Sequence, residues 1–151
     1  MSEILNLLAA LAPTFANEDR AGGTETADAI LSVIKGPQWR DSPPVCPLPG
    51  LIDDGLRLDP IPAASFVAAA QPQLSWHASG MVDGRIRNDI ARQMMTTEIM
   101  GPDGMLFHPT VRVGLFAQSA NVDYVTREHI AEETFLMLAG RGYWTAGGAQ
   151  P

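Results

Sequence analysis

Seven of the chain's twelve prolines, Pro37, Pro43, Pro44, Pro47, Pro49, Pro60 and Pro62, fall within residues 37–62. Each fixes its own φ, removes a backbone donor and pushes the preceding residue out of the helical region. No long helix or central strand can run through such a stretch, so it separates whatever folds before it from whatever folds after. Trp39, Cys46, Leu48, Leu51 and Ile52 are interspersed among the prolines. Apolar side chains at that density predict an ordered, irregular connection, partly buried on a core, rather than a flexible linker.

The two sides differ in periodicity. Ile4, Leu5, Leu7, Leu8 and Leu11 recur at close to helical spacing and predict a helix over 3–16. Asn17 to Gly23 is polar and Gly-rich and reads as a loop. Thr24, Glu25, Thr26 and Asp28 place acidic groups where a helix dipole favours them, opening a second helix through Ile34. Gly36-Pro37 ends it. Residues 63–71, AASFVAAAQ, predict a short helix stopped by Pro72. Beyond residue 72 the runs shorten and alternate. Leu74–Ala78, Met95–Met100, Val111–Ala117 and Thr134–Ala139 predict strands, with a turn at Gly101-Pro102-Asp103-Gly104. Residues 82–94 fit helix or strand equally. The expected organisation is a helical, Pro-rich extension over 1–71 and a β core over 72–151. Helices first and sheet afterwards suit an α+β fold or a β-barrel with a helical extension.

Composition narrows the function. At 151 residues with 46% hydrophobic and 18% charged residues, the chain is one globular domain's worth and not globally disordered. A net charge of −7 without a basic patch excludes nucleic acid as an expected partner. The single cysteine, Cys46, excludes a disulfide framework and a cysteine-based zinc finger. No apolar run approaches the ~20 residues that span a bilayer, so no membrane partner is expected. Glu3 stands where a secretory signal carries Lys or Arg, and the expected location is the cytoplasm.

Chemistry concentrates in Asn121–Gly140. His129 and Glu133 are four residues apart, and an imidazole with a carboxylate suits a borderline divalent metal. Tyr124 lies just upstream. A phenol is a poor base in water, but a neighbouring cation lowers its pKa and makes it usable. The same spacing also describes a surface histidine salt-bridged to Glu133, with Tyr124 at a strand rim. Spacing alone leaves both readings open.

Several blocks in register are more specific. Leu74-Ser-Trp76, Glu98-Ile-Met-Gly101-Pro-Asp-Gly104 and Arg112-Val-Gly114-Leu-Phe116 are followed by Tyr124, His129, Ala131-Glu-Glu133, Leu138-Ala-Gly140 and Trp144. Together they resemble the cupin-type dimethylsulfoniopropionate (DMSP) lyases over roughly residues 72–145. The resemblance implies a mainly β chain: a small cupin barrel, or double-stranded β-helix, incomplete at its C-terminal end, with a metal site inside. It implies β-elimination of DMSP to dimethyl sulfide and acrylate, with Tyr124 as catalytic base. His129 and Glu133 would bind a divalent transition metal: zinc, iron, manganese or nickel.

Two residues depart from the family motif. Arg127 stands where the family has the first His of His-x-His, and Phe135 where it has a metal-side Tyr. Arg127 becomes a candidate anchor for the substrate carboxylate, and Trp76 and Phe135 candidate substrate contacts. Aromatic faces, including those of Trp39 and Trp144, can hold a sulfonium by cation–π attraction, although core or rim packing is their commoner fate. The family's second cupin motif, with a further His, is not in this chain. A partial chain, or a short protein that closes its sheet as a homodimer, is therefore expected. The alternative function is a degenerate cupin that binds a small carboxylate or a regulatory partner without catalysis.

Overall fold

The computed structural model describes residues 2–78, 87–122 and 132–145. Helix α1 spans Glu3–Ala16, capped by Ser2, whose Oγ accepts the Ile4 N–H at 3.3 Å and donates to Gln73 Oε1 at 2.9 Å. Helix α2 spans Ala21–Lys35 and ends at Gly36, as expected. It begins three residues before Thr24, within the stretch read as a loop. One glycine there serves packing: a Cβ on Gly23 would stand 2.5 Å from the Phe15 carbonyl oxygen. Bare backbone at that position lets the start of α2 close onto the end of α1.

The Pro-rich stretch holds one short helix, α3 (Pro49–Gly55), with Pro at its start, where a missing N–H costs nothing. Ile52 is buried, and Cys46, Leu48 and Leu51 pack on the core as expected. Trp39 does not: it is 47% exposed, held by its backbone bridge to Leu106 rather than by ring burial. Helix α4 spans Ala64–Ala70 and runs into a single 3-10 turn at Gln71–Gln73. A further short helix, α5, spans Asn88–Ala91, within the stretch that sequence left open.

Four strands form a mixed sheet: β1 (His77–Ala78), β2 (Met94–Gly101), β3 (Leu106–Phe107) and β4 (Val113–Gln118). β4 runs antiparallel along β2, from Met94 opposite Gln118 to Met100 opposite Val113. A strand has two edges, so β1 and β3 share the other: β1 antiparallel at the start of β2, β3 parallel at its end. The Pro-rich connection is stitched along that side. Val45 bridges Ser75, and Trp39 bridges Leu106. The Trp76 N–H donates to the Val45 carbonyl at 2.7 Å and the Phe107 N–H to the Gln38 carbonyl at 2.9 Å. A segment too rich in proline to be a central strand thus still covers an edge that would otherwise invite pairing with another chain.

The sheet buries both faces. Met95, Ile99 and Leu115 share a buried cluster with Leu7 and Leu8 of α1, Ile30 of α2, Val67 and Ala70 of α4, and Trp76. Met94 lies against Ala91, with Ile90, Phe116 and Val122 around them. The period of two over Met94–Ile99 accounts for the division, and the register shift between Glu98 and Met100 lets Met100 join the first cluster.

Two expectations are corrected. The described residues are not mainly β: α1 and α2 have 14 and 15 residues, whereas β2 has 8 and β4 has 6. The four-stranded sheet is open among the described residues. Residues 134–139 are described and form no strand. Their backbone bonds to a loop: the Ile61 N–H donates to the Leu138 carbonyl at 2.9 Å, and the Gly140 N–H to the Leu58 carbonyl. The alternation still operates, since Leu136 and Leu138 pack on the core while Phe135 and Met137 are exposed. Among the described residues no helix is long and apolar enough to cross a membrane.

Candidate functional site

Three of the six predicted site residues, Tyr124, Arg127 and His129, lie outside the described residues. Glu133, Phe135 and Trp76 lie within them. Glu133 and Phe135 belong to one irregular strap, residues 132–145, that crosses the helical part of the molecule.

The strap is tied down at both ends. At its start, Thr134 Oγ1 lies 3.1 Å from both carboxylate oxygens of Glu18 and accepts from Arg20 Nη2 at 2.8 Å. Arg20 also pairs with Glu132 at 3.3 Å and with Glu18 itself. Towards its end, Arg141 donates twice to Asp59 Oδ2, at 3.0 and 2.7 Å. Gly140 there has φ +82°, a conformation that favours glycine. The residues on either side of Glu133 are thus bonded to the loop between α1 and α2. Glu132, Glu133, Thr134 and Phe135 are all exposed, so Glu133 lies at the surface beside Phe135.

Phe135 is 51% exposed, and its ring packs on Trp144 with centroids 4.7 Å apart and planes tilted by 33°. A phenylalanine ring offers an aromatic face but no oxygen to a metal. Trp76 is elsewhere. It is 1% exposed in the core, and its indole N–H donates to Gln71 Oε1 at 3.0 Å. The structure therefore brings Glu133 and Phe135 onto one strap and sets Trp76 among the core side chains.

The other blocks behind the resemblance build a turn. The Asp103 N–H donates to Glu98 Oε1 at 3.0 Å, and Arg112 bridges Glu98 and Asp103, reaching the latter at 3.0 Å. The Asp103 hydrogen bond, opposed by desolvation and supported by Glu98, raises the Arg112 pKa above its ordinary value. His108 is structural: its Nδ1 accepts the Val111 N–H at 2.9 Å. His77 is exposed, 3.4 Å from Ser75 Oγ through Nε2.

Among the described residues no three His, Cys, Asp or Glu side chains come together to hold a metal. Of the predicted ligand pair, Glu133 is described. Its carboxylate and the His129 imidazole make a donor set whose chemistry fits a borderline divalent ion. Two open clefts, of about 320 and 510 Å³, lie beside Asp59 and Arg141 and beside Ile61 and Ser65, and neither is lined by a predicted site residue.

A family model for dimethylsulfoniopropionate lyases matches residues 37–150, more than half of the sequence, and the chain belongs to this family. The match begins at Pro37, so the family's span includes the Pro-rich connection as well as the blocks beyond residue 72. No curated protein gives a significant match. A solved chain from the crystal structures of the DMSP lyases RdDddP and RnDddQII is 18% identical, with a TM-score of 0.47. The similarity covers 75% of this chain and 57% of that one, so the present chain spans little more than half the length of that relative.

Sequence reasoning missed Glu18, Arg20 and Thr134. Glu18 and Arg20 fell in a polar loop, and Thr134 opened a predicted strand. Thr134 is separated from Glu18 by 116 positions, and no local pattern announces such a pairing.

Proposed function

We propose that the chain cleaves DMSP to dimethyl sulfide and acrylate by β-elimination, in a cupin-type site of which it supplies Tyr124, His129 and Glu133. The observation that carries this reading is the family match over residues 37–150, which contains all three. Tyr124, as phenolate, takes a proton from the carbon next to the substrate carboxylate. The released electron pair forms the carbon–carbon double bond of acrylate, and the carbon–sulfur bond breaks towards sulfur. The sulfonium leaves as neutral dimethyl sulfide, so charge and atoms balance.

Arg127 pairs with the substrate carboxylate through its planar fork of donors. Phe135 and Trp144 offer aromatic faces, Phe135 with half of its surface exposed, on which a sulfonium is attracted by the ring quadrupoles. Trp76, buried and bonded to Gln71, supports the core instead. His129 and Glu133 would hold a divalent transition metal, which when bound supplies Lewis acidity to the substrate carboxylate and lowers the Tyr124 pKa. The location is proposed as cytoplasmic and the assembly as a homodimer that completes the open sheet.

A second reading is favoured by one observation. Phe135 replaces a hydroxyl-bearing side chain and spends its ring on Trp144. With Arg127 in place of a histidine, this fits a degenerate relative that binds a small carboxylate without turning it over. Headspace detection of dimethyl sulfide decides between the two. The chain is loaded separately with zinc, iron, manganese and nickel and supplied with DMSP. Release above the metal-only control supports the lyase; none with any metal, together with saturable binding of acrylate, supports the binding module.

A further inference from the structure

We infer that Met137 is a peroxide-sensitive site, oxidised to its sulfoxide in the folded chain ahead of the core methionines, and that this oxidation breaks up the Phe135–Trp144 ring pair. Met94, Met95, Met100 and Met105 are at most 6% exposed. A sulfur so placed meets an oxidant only when the core opens. Met95 is held further, because its Sδ accepts the Leu48 N–H at 3.2 Å. Met137 is 42% exposed, and among the described methionines it alone stands at the surface.

The strap fixes where Met137 stands. Leu136 and Leu138 on either side of it pack on the core. The Leu138 carbonyl accepts the Ile61 N–H. A Cβ on Gly142 would lie 2.9 Å from Met137 Cε and 3.0 Å from Trp144 Nε1. The bare α-carbon at Gly142 therefore leaves one space that the thioether methyl and the indole edge share. The indole in turn packs on Phe135, with ring centroids 4.7 Å apart. Reduced methionine, apolar and polarizable, suits such neighbours.

Oxidation changes that chemistry. A sulfur lone pair attacks one oxygen of hydrogen peroxide and the O–O bond breaks. That oxygen stays on sulfur, and the other leaves with both protons as water. Sulfur gives up two electrons and the peroxide takes two, so the step balances and needs neither metal nor DMSP. The sulfoxide is polar where the thioether was apolar. Its oxygen is an acceptor placed beside the Trp144 indole N–H, which can only donate. A bond between them draws the indole off the Phe135 ring.

The test treats the full chain, folded and in urea, with hydrogen peroxide and reads each methionine peptide by mass. In the folded chain Met137 is expected to take up oxygen more than about 10-fold faster than Met94, Met95, Met100 and Met105, and in urea all five at similar rates. Tryptophan emission should change in step with oxidation of Met137. The change should be absent from Met137→Leu, which keeps an apolar chain without sulfur, and from Trp144→Phe, in which Trp39 and Trp76 remain to report. A methionine sulfoxide reductase should reverse it. Oxygen uptake by the core methionines as fast as by Met137 in the folded chain would overturn the site. Full oxidation of Met137 with emission unchanged, or with the same change in Trp144→Phe, would overturn its coupling to the ring pair.

Discussion

Thr97→Val is expected to stabilise the fold. Thr97 is 2% exposed in the longest strand, opposite Leu115, and on the face it shares with Met95 and Ile99. Its Oγ1 is buried without a hydrogen-bond partner. A hydroxyl so placed has lost water without replacing it, at a cost of ~1–3 kcal/mol. Valine keeps the β-branch, and with it the strand preference, and adds a buried methyl worth ~0.8 kcal/mol. Part of the gain is offset because the new methyl must fit a space shaped for oxygen. A net stabilisation of about 1–2 kcal/mol follows, or ~2–8 °C in Tm for a chain of this size. Urea unfolding followed by tryptophan fluorescence measures it. The midpoint should rise with an unchanged slope, because the surface exposed on unfolding is nearly the same. A midpoint lower by the equivalent of 1 kcal/mol would show that the hydroxyl is used in the folded state and would refute the reasoning.

Gln71→Ala strands the buried Trp76 indole N–H and should cost ~1–3 kcal/mol in urea unfolding, whereas Gln71→Glu keeps an acceptor and should cost less. Gly23→Ala should destabilise despite the better helix propensity of alanine, worth ~1 kcal/mol, because its Cβ meets the Phe15 carbonyl; a rise in Tm would contradict that packing. Arg112→Ala removes two ion pairs from a side chain that is 53% exposed, so its cost should stay near ~1 kcal/mol or below and shrink in high salt.

Much of the helical part was legible because its apolar residues repeat at helical spacing. Ile4, Leu7, Leu8 and Leu11 define α1, and Ile30 and Val33 the buried side of α2. The start of α2 was not, since Gly22 and Gly23 signal a loop by propensity, whereas Gly23 serves a close approach that only the tertiary fold reveals. Thr134–Ala139 teaches a finer distinction. The run reads as a strand, and Leu136 and Leu138 do pack on the core while Phe135 and Met137 are exposed, but period two describes an extended chain and says nothing of its hydrogen-bond partner. That partner is a loop at Leu58–Ile61, with Asp59 at φ +46°. Trp39 shows the converse: a large apolar residue in a Pro-rich stretch is exposed because its backbone, not its ring, is what the edge strand uses. At the candidate site, residue types and spacing drew attention to Glu133. The clasp around it could not be read, because its members are more than a hundred positions apart.

The most direct test of the central claim, that this chain is a DMSP lyase with Tyr124 as its base, is dimethyl sulfide release by Tyr124→Phe and the unaltered chain at equal metal content. Losing a positioned general base typically costs ~10²–10⁴-fold in rate. Tyr124→Phe is expected to lose turnover by that much with metal binding retained, and His129→Ala to lose metal and turnover together. Equal turnover by Tyr124→Phe would contradict it and pass the role of base to another group.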